Sequence, residues 1–102
     1  MTGIELIAAE RRRQVEDEGW TPEHDAQHTE GELAQAAAYY CNITSNREWL
    51  FQYLFPHRWH KKWAKRIGFP LPTDRDLIKA GALIAAELDR RAALAQKPEG
   101  GA

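Results

Sequence analysis

Apolar residues recur at helical intervals in three stretches of this 102-residue chain, and nowhere alternate convincingly as a strand would. Ile4, Ile7, Ala8 and Val15 mark one stripe, which predicts a helix from Thr2 to Glu18 with Arg11 falling inside the stripe. Thr2 and Glu5 form a capping box at its start, and Gly19 suits a left-handed stop. Residues 20–28 read as a polar connector. A second stripe, Leu33, Ala36, Ala37 and Tyr40, joined by Cys41, predicts a helix opened by a Thr29–Glu32 capping box. The third stripe is Leu77, Ala80, Gly81, Ile84 and Leu88, widened by Ile78 and Leu83. It predicts a long helix capped by Thr73, with Asp76 at the third position, running to about Gln96. Gly81 stands where alanine would be more helical, which admits a close neighbour helix.

Residues 42–72 break the pattern. Asn42 to Asn46 is rich in turn formers. Arg47 to Phe55 suggests a short helix or an aromatic turn, interrupted by Pro56. Residues 57–68 could make another short helix ended by Gly68, with Trp59 and Trp63 one turn apart. Pro70 and Pro72 then require an extended link. The expected class is all-α: a small helical bundle of three main helices with an aromatic, basic insertion (47–72) containing one or two short helices. Residues 1–96 would form a single helical domain and residues 97–102 a disordered tail.

A chain this short buries only a modest core, so support from a second copy, as a homo-oligomer, is expected. No apolar run approaches bilayer length, so no membrane partner is expected. The N-terminal arginines follow a short apolar patch, the wrong order for a secretory signal. The single cysteine, Cys41, rules out an internal disulfide or a zinc–thiolate cluster within one chain and reads as a small core residue. The expected setting is a reducing cytoplasm. The net charge of −1 hides segregation: residues 1–32 hold nine acids against three bases, and residues 33–72 one acid against six bases. The molecule should therefore be electrically lopsided.

Candidate chemistry gathers in three places. His24 and His28 lie four apart, with Asp25 between and Glu30 and Glu32 following. Imidazole and carboxylate suit zinc, manganese or iron. The segment also reads as an ordinary capped loop, with His28 packing on Leu33 and His24 and Asp25 tying the loop by hydrogen bonds. No metal cofactor is favoured; if a divalent metal is held, its ligands are His24, Asp25, His28 and Glu32. A guanidinium inside an apolar stripe must be paired or meet an anion: Arg11, with Gln14 beside it, reads either as part of a solvated charged face with Arg13–Asp17 support or, the reading preferred here, as part of a polar cluster aimed at a ligand. The insertion interleaves Trp49, Phe51, Tyr53, Phe55, Trp59, Trp63 and Phe69 with arginine, lysine and histidine. Such rings stack on bases and such cations hold phosphate. Several of the rings must equally be core, because seven exposed ones would aggregate. Lys79, early in the last helix, could reach a site near the connector.

Two blocks carry a resemblance. The first runs through Glu10-Arg11, Arg13-Gln14, Glu18-Gly19-Trp20, His24-Asp25, His28 and Gly31-Glu32-Leu33-Ala34. The second is Arg75-Asp76-Leu77-Ile78-Lys79-Ala80-Gly81-Ala82-Leu83-Ile84 with Ala86-Glu87. Together they cover about half the chain. They resemble a family of small phage and prophage proteins with the pattern ERxRQ, EGW, HD, H, GELA, then RDLxKAGALIxAE. That resemblance implies a phage accessory protein in the host cytoplasm rather than a particular reaction. A more distant likeness is to MazG-like nucleotide pyrophosphohydrolases, all-α proteins that hold magnesium with EExxE followed by ExxD. This chain has no EExxE, and Glu10, Glu32 and Glu87 are separate carboxylates.

The expected function is a non-catalytic binder of a nucleotide-like phosphorylated small molecule, with Arg11, Gln14, Trp20, His24, His28 and Lys79 lining one pocket. In a phage setting it would sequester a host immune signalling nucleotide. Two alternatives stand beside it. One is a metal-dependent nucleotide hydrolase using Glu10, Asp25, Glu32 and the histidine pair. The other is an inhibitor that binds a host protein or nucleic acid.

Overall fold

A computed structural model describes residues 1–96; the expected disordered tail, 97–102, lies outside the described residues. Helix α1 spans Gly3–Glu18, α2 Pro22–Asp25, α3 Glu32–Cys41, α4 Arg47–Leu54 and α5 Asp74–Ala95, with a single 3-10 turn at Lys61–Trp63. The fold is all-α, with no strand among the described residues. None of these helices is long and apolar enough to cross a membrane.

The ends of α1 and α5 form as their sequences predict. Thr2 and Glu5 bond reciprocally to open α1, and Gly19 closes it with φ 73°. Thr73 and Asp76 do the same for α5. The start of α3 departs from expectation. Thr29 does not cap it: the helix begins at Glu32 behind Gly31 at φ 81°, with no side-chain cap. The Glu32 carboxylate instead accepts from the Glu30 amide at 2.6 Å. The polar connector contains one helical turn, α2, capped by Thr21, which accepts from the His24 amide. The insertion supplies α4, capped by Asn46, but residues 57–68 hold only the 3-10 turn rather than a second helix.

The core lies where α3 meets α5. Leu33, Ala36, Ala37, Tyr39 and Tyr40 of α3 pack with Ala80, Leu83 and Ala86 of α5, and Leu50 and Phe55 close it from the insertion. Alanine on both helices lets their backbones approach. This packing turns α5 by about one residue from its expected face: Leu77, Ile84 and Leu88 are 48%, 49% and 60% exposed, while Ala82, Ala86, Asp76 and Glu87 are buried. A similar correction applies to α1, where Ile4 is 82% exposed and the buried positions are Glu10 and Gln14. Cys41 is exposed, not core, because it follows Tyr40 onto the open side of α3.

Two buried charges fix this arrangement. The Asp76 carboxylate accepts from the amides of Ile67 (2.8 Å), Gly68 (2.8 Å) and Thr73 (2.9 Å), and from the Thr73 hydroxyl (2.9 Å). Burial pushes its pKa up, but these donors outweigh burial and hold it below the ordinary value. Arg66, counted among the insertion's basic residues, is a structural cation instead. It donates to the carbonyls of Gly68 (2.8 Å), Tyr39 (2.9 Å) and Pro70 (3.2 Å), joining α3 to the link before α5.

Candidate functional site

Trp20 follows Gly19 directly, so the left-handed turn at Gly19 throws its indole back over the bundle rather than along α1. There it meets both tryptophans of the insertion, edge to face, with ring centroids 5.6 Å from Trp59 and 5.2 Å from Trp63. His24 stacks on Trp20 at 6.3 Å with an interplanar angle of 10°. His28 tilts against Trp59 at 5.2 Å. The sequence spaces Trp59 and Trp63 one helical turn apart; the structure brings them together through a 3-10 turn and a shared partner.

These rings enclose a hollow of about 290 Å³, lined by Trp20, His24, His28, Trp59, Trp63 and Arg58, with Glu18 and Gln27 at its edge. Trp59 also borders a larger hollow of about 630 Å³ against α4, between Phe51, Phe55, Pro56 and His57. On the other side of Trp20 and Trp63 lies a crevice of about 20 Å³, reached by Gln14, Tyr40, Lys65 and Lys79. That is space for about one water molecule, too little for an aromatic ligand.

The six expected pocket residues therefore divide. Trp20, His24 and His28 line the hollow. Gln14 and Lys79 line the crevice, with Trp20 as the partition. Arg11 lines neither: it donates to the Trp20 carbonyl (3.0 Å) and to Asp25 (2.7 Å), and approaches Asp89 at 4.0 Å. Arg11 is thus a clasp that fastens the α2 turn to α1, and its charge is matched by a carboxylate that is only 1% exposed. Gln14 donates to Glu10 at 3.3 Å, while its Oε1 is buried without a protein partner. Burial, reinforced by the Arg75 charge, lowers the pKa of Lys79, whose Nζ sits 5.6 Å from the Tyr40 ring centroid.

Glu10 bonds to Arg13 from two oxygens (2.9 Å each) and to Arg75 of α5 at 2.7 Å. Burial pushes its pKa up, and the two guanidiniums more than reverse that. Glu87 is paired with Arg90 and Arg91 instead, and its pKa falls to about 2, chiefly through the Arg90 hydrogen bonds. Glu32 borders a further hollow with Glu30, Gln35 and Arg58. Glu10, Glu32 and Glu87 thus each sit in a separate setting.

Of the expected ligand set His24, Asp25, His28 and Glu32, the first three converge, with one ligand atom from each within 4.8 Å of the others; Glu32 does not join them, its carboxylate turning back to the Glu30 amide. Glu32 stands behind, its Oε2 3.7 Å from Nδ1 of His28. His28 has a lowered pKa, first through burial and then through the neighbouring His24 charge.

Sequence reasoning counts Arg58 and Lys65 among the insertion's phosphate-holding cations without assigning them to the pocket; Arg58 lines the hollow, and Lys65, like Tyr40, the crevice. Tyr40 reads as core, but its hydroxyl donates to the Trp63 carbonyl and accepts from the Lys65 amide at 3.1 Å, which sets the position of both. Burial pushes its pKa up to about 12, so it stays a donor. A tyrosine where a phenylalanine would fill the same core was the available signal, since a buried hydroxyl needs a partner. Comparison with protein-family models, curated proteins and solved structures finds no match to this chain.

Proposed function

We propose that this protein binds a nucleotide-like phosphorylated small molecule, without turning it over, in the hollow between Trp20, Trp59 and Trp63. The observation that carries the reading is the meeting of three indoles and two imidazoles around one opening with Arg58 in its wall. An indole face takes a base of any sequence by stacking. Arg58 in the wall is not committed to an acid: among the described residues, no carboxylate lies within ion-pair distance of it, or of Lys62 beyond Trp63. In this reading Arg58 meets the phosphate; Lys62 lies over Trp63 at 5.0 Å from its centroid, and Lys65, at 5.5 Å, lies on the crevice side of the same residue. Arg11, neutralised by Asp25, takes no part in holding phosphate in this reading.

In the cytoplasm of an infected host, such a binder would act by sequestering an immune signalling nucleotide. The working form is a homo-oligomer. Part of the apolar stripes of α1 and α5 that helical periodicity marks for burial stays open in a single chain, at Ile4, Leu77, Ile84 and Leu88. A second copy of the chain would cover them.

Native mass spectrometry of protein taken from signalling-active cells, followed by titration with mono-, di- and cyclic dinucleotides, tests the reading. A released nucleotide, with quenched tryptophan fluorescence on titration, is expected. Trp20→Ala should weaken binding at least about fivefold, the lower end of one stacked base. Absence of any nucleotide, with no response to the titration, sinks the proposal. Retention of nucleic acid that falls steeply with salt would point instead to the exposed Trp49, Tyr53 and Lys61 of the insertion.

A further inference from the structure

We propose that His24, Asp25 and His28 form a binding site for one divalent transition-metal ion at the edge of the indole-lined hollow. Ligand atoms around an ion with bonds of about 2.1 Å stand about 3–3.5 Å apart. Those of His24, Asp25 and His28 already lie within 4.8 Å of one another, so small side-chain rotations close the site. The convergence is a product of local backbone. The single turn of α2 runs on into a second turn, in which the Gln27 amide donates to the His24 carbonyl (3.4 Å) and the His28 amide to the Asp25 carbonyl (3.0 Å). That curl brings positions 24, 25 and 28 to one side without a long helix.

The surroundings orient each ligand. Arg11 fixes Oδ2 of Asp25 at 2.7 Å, which leaves Oδ1, 3.4 Å from Nδ1 of His24, as the oxygen free for an ion. Nδ1 of His28 faces Glu32 at 3.7 Å, the carboxylate–imidazole pairing that steadies a ligating ring and leaves Nε2 for the ion. Trp20 stacks on His24, and Trp59 and His24 pack on His28. Exposure grades across the set, from 1% for Asp25 through 12% for His28 to 38% for His24. The anchor is buried and the opposite side is open, which leaves coordination positions for water or for a ligand oxygen. Two imidazoles and one carboxylate suit zinc, cobalt, manganese or ferrous iron rather than calcium or magnesium.

Metal binding here stands apart from the nucleotide reading, so the test uses the metal alone on the full chain stripped with chelator. Titration with zinc and with cobalt, followed by calorimetry and by cobalt visible absorption, should show one ion per chain. His24→Gln and His28→Gln should each weaken binding by about a hundredfold, and Glu32→Gln by about tenfold, as expected for a residue that positions a ligand. The double variant His57→Gln/His60→Gln is the control, because those two histidines are engaged with backbone at Gln52 and Lys62, and it should bind as the parent does. No stoichiometric binding overturns the site. So does binding retained by a natively folded His24→Gln/His28→Gln chain, judged by circular dichroism, or binding lost in the control. The nucleotide titration repeated on stripped protein tells the two readings apart: metal without nucleotide sinks only the ligand reading, and nucleotide without metal sinks only this one.

Discussion

Asp76 shows how much one side chain can decide. It is fully buried and charged, and three amides and a hydroxyl converge on it. Asp76→Ala would leave those donors without an acceptor and should cost about 3 kcal/mol in urea denaturation. The neighbouring Gly68 is there for space. A Cβ on it would stand 2.3 Å from the Leu71 carbonyl oxygen and 2.8 Å from the Thr73 nitrogen, and both are backbone atoms that cannot step aside. Gly68→Ala should therefore destabilise by about 2 kcal/mol in the same assay. The capping box at Thr73 is legible in sequence, but the further bonds from Ile67 and Gly68 are not, because nothing local to Asp76 says that the insertion returns to it.

At the scale of elements, α2 depends on what it is fastened to. Four residues make no stable helix alone, since the nucleus costs more than one turn returns. Arg11 supplies the fastening, so Arg11→Ala would strand the buried Asp25 charge. The expected loss is about 3 kcal/mol, with faster amide exchange at residues 24–28. Arg11's place in an apolar stripe announces a partner; which partner it finds depends on how α2 folds back. Helix α5 carries the acid sensitivity in its second half. The Glu87 pKa drops from 4.5 to about 2 in the folded chain, so its stabilisation is complete above pH 4.5 and is lost as pH falls through about 2. Glu10 and Asp76, also lowered, add in the same direction. Denaturation midpoints should fall steadily from pH 5 towards pH 2, and Glu87→Gln should flatten part of that slope. His28, lowered from 6.5, acts at higher pH: its contribution is present above 6.5 and fades as pH falls through its folded value.

At the scale of the molecule, one chain leaves a line of apolar side chains open along α1 and α5. The groove between Gly3, Leu6, Ile7, Leu77 and Ile78 belongs to the same side. With a chain mass of 11.7 kDa, light scattering after gel filtration should report a multiple of that value. Ile84→Asp with Leu88→Asp should return the protein to a single chain while keeping its helical signal. A parent protein that already runs as one chain ends the homo-oligomer proposal.

The existence of α1, α3 and α5, the ends of α1 and α5, and the all-α class follow from sequence, because caps and periodicity act over three or four residues; α2 and the lack of a helix over 57–68 do not. The chemistry-bearing residue types around the connector are legible for the same reason: His24, Asp25 and His28 are close in the chain before they are close in space. Helix α3 buries the stripe that its sequence marks, but which face α1 and α5 bury is decided only by packing. A helix carries apolar residues over a wide arc, and the alanines of α3 and α5 select one part of it by allowing the closest approach. Tertiary structure alone brings Trp59 and Trp63 onto Trp20, gives Arg11 to Asp25, and parts Gln14 and Lys79 from the histidines. The contacts among those outcomes join residues fourteen to forty-three positions apart, and no local preference encodes them.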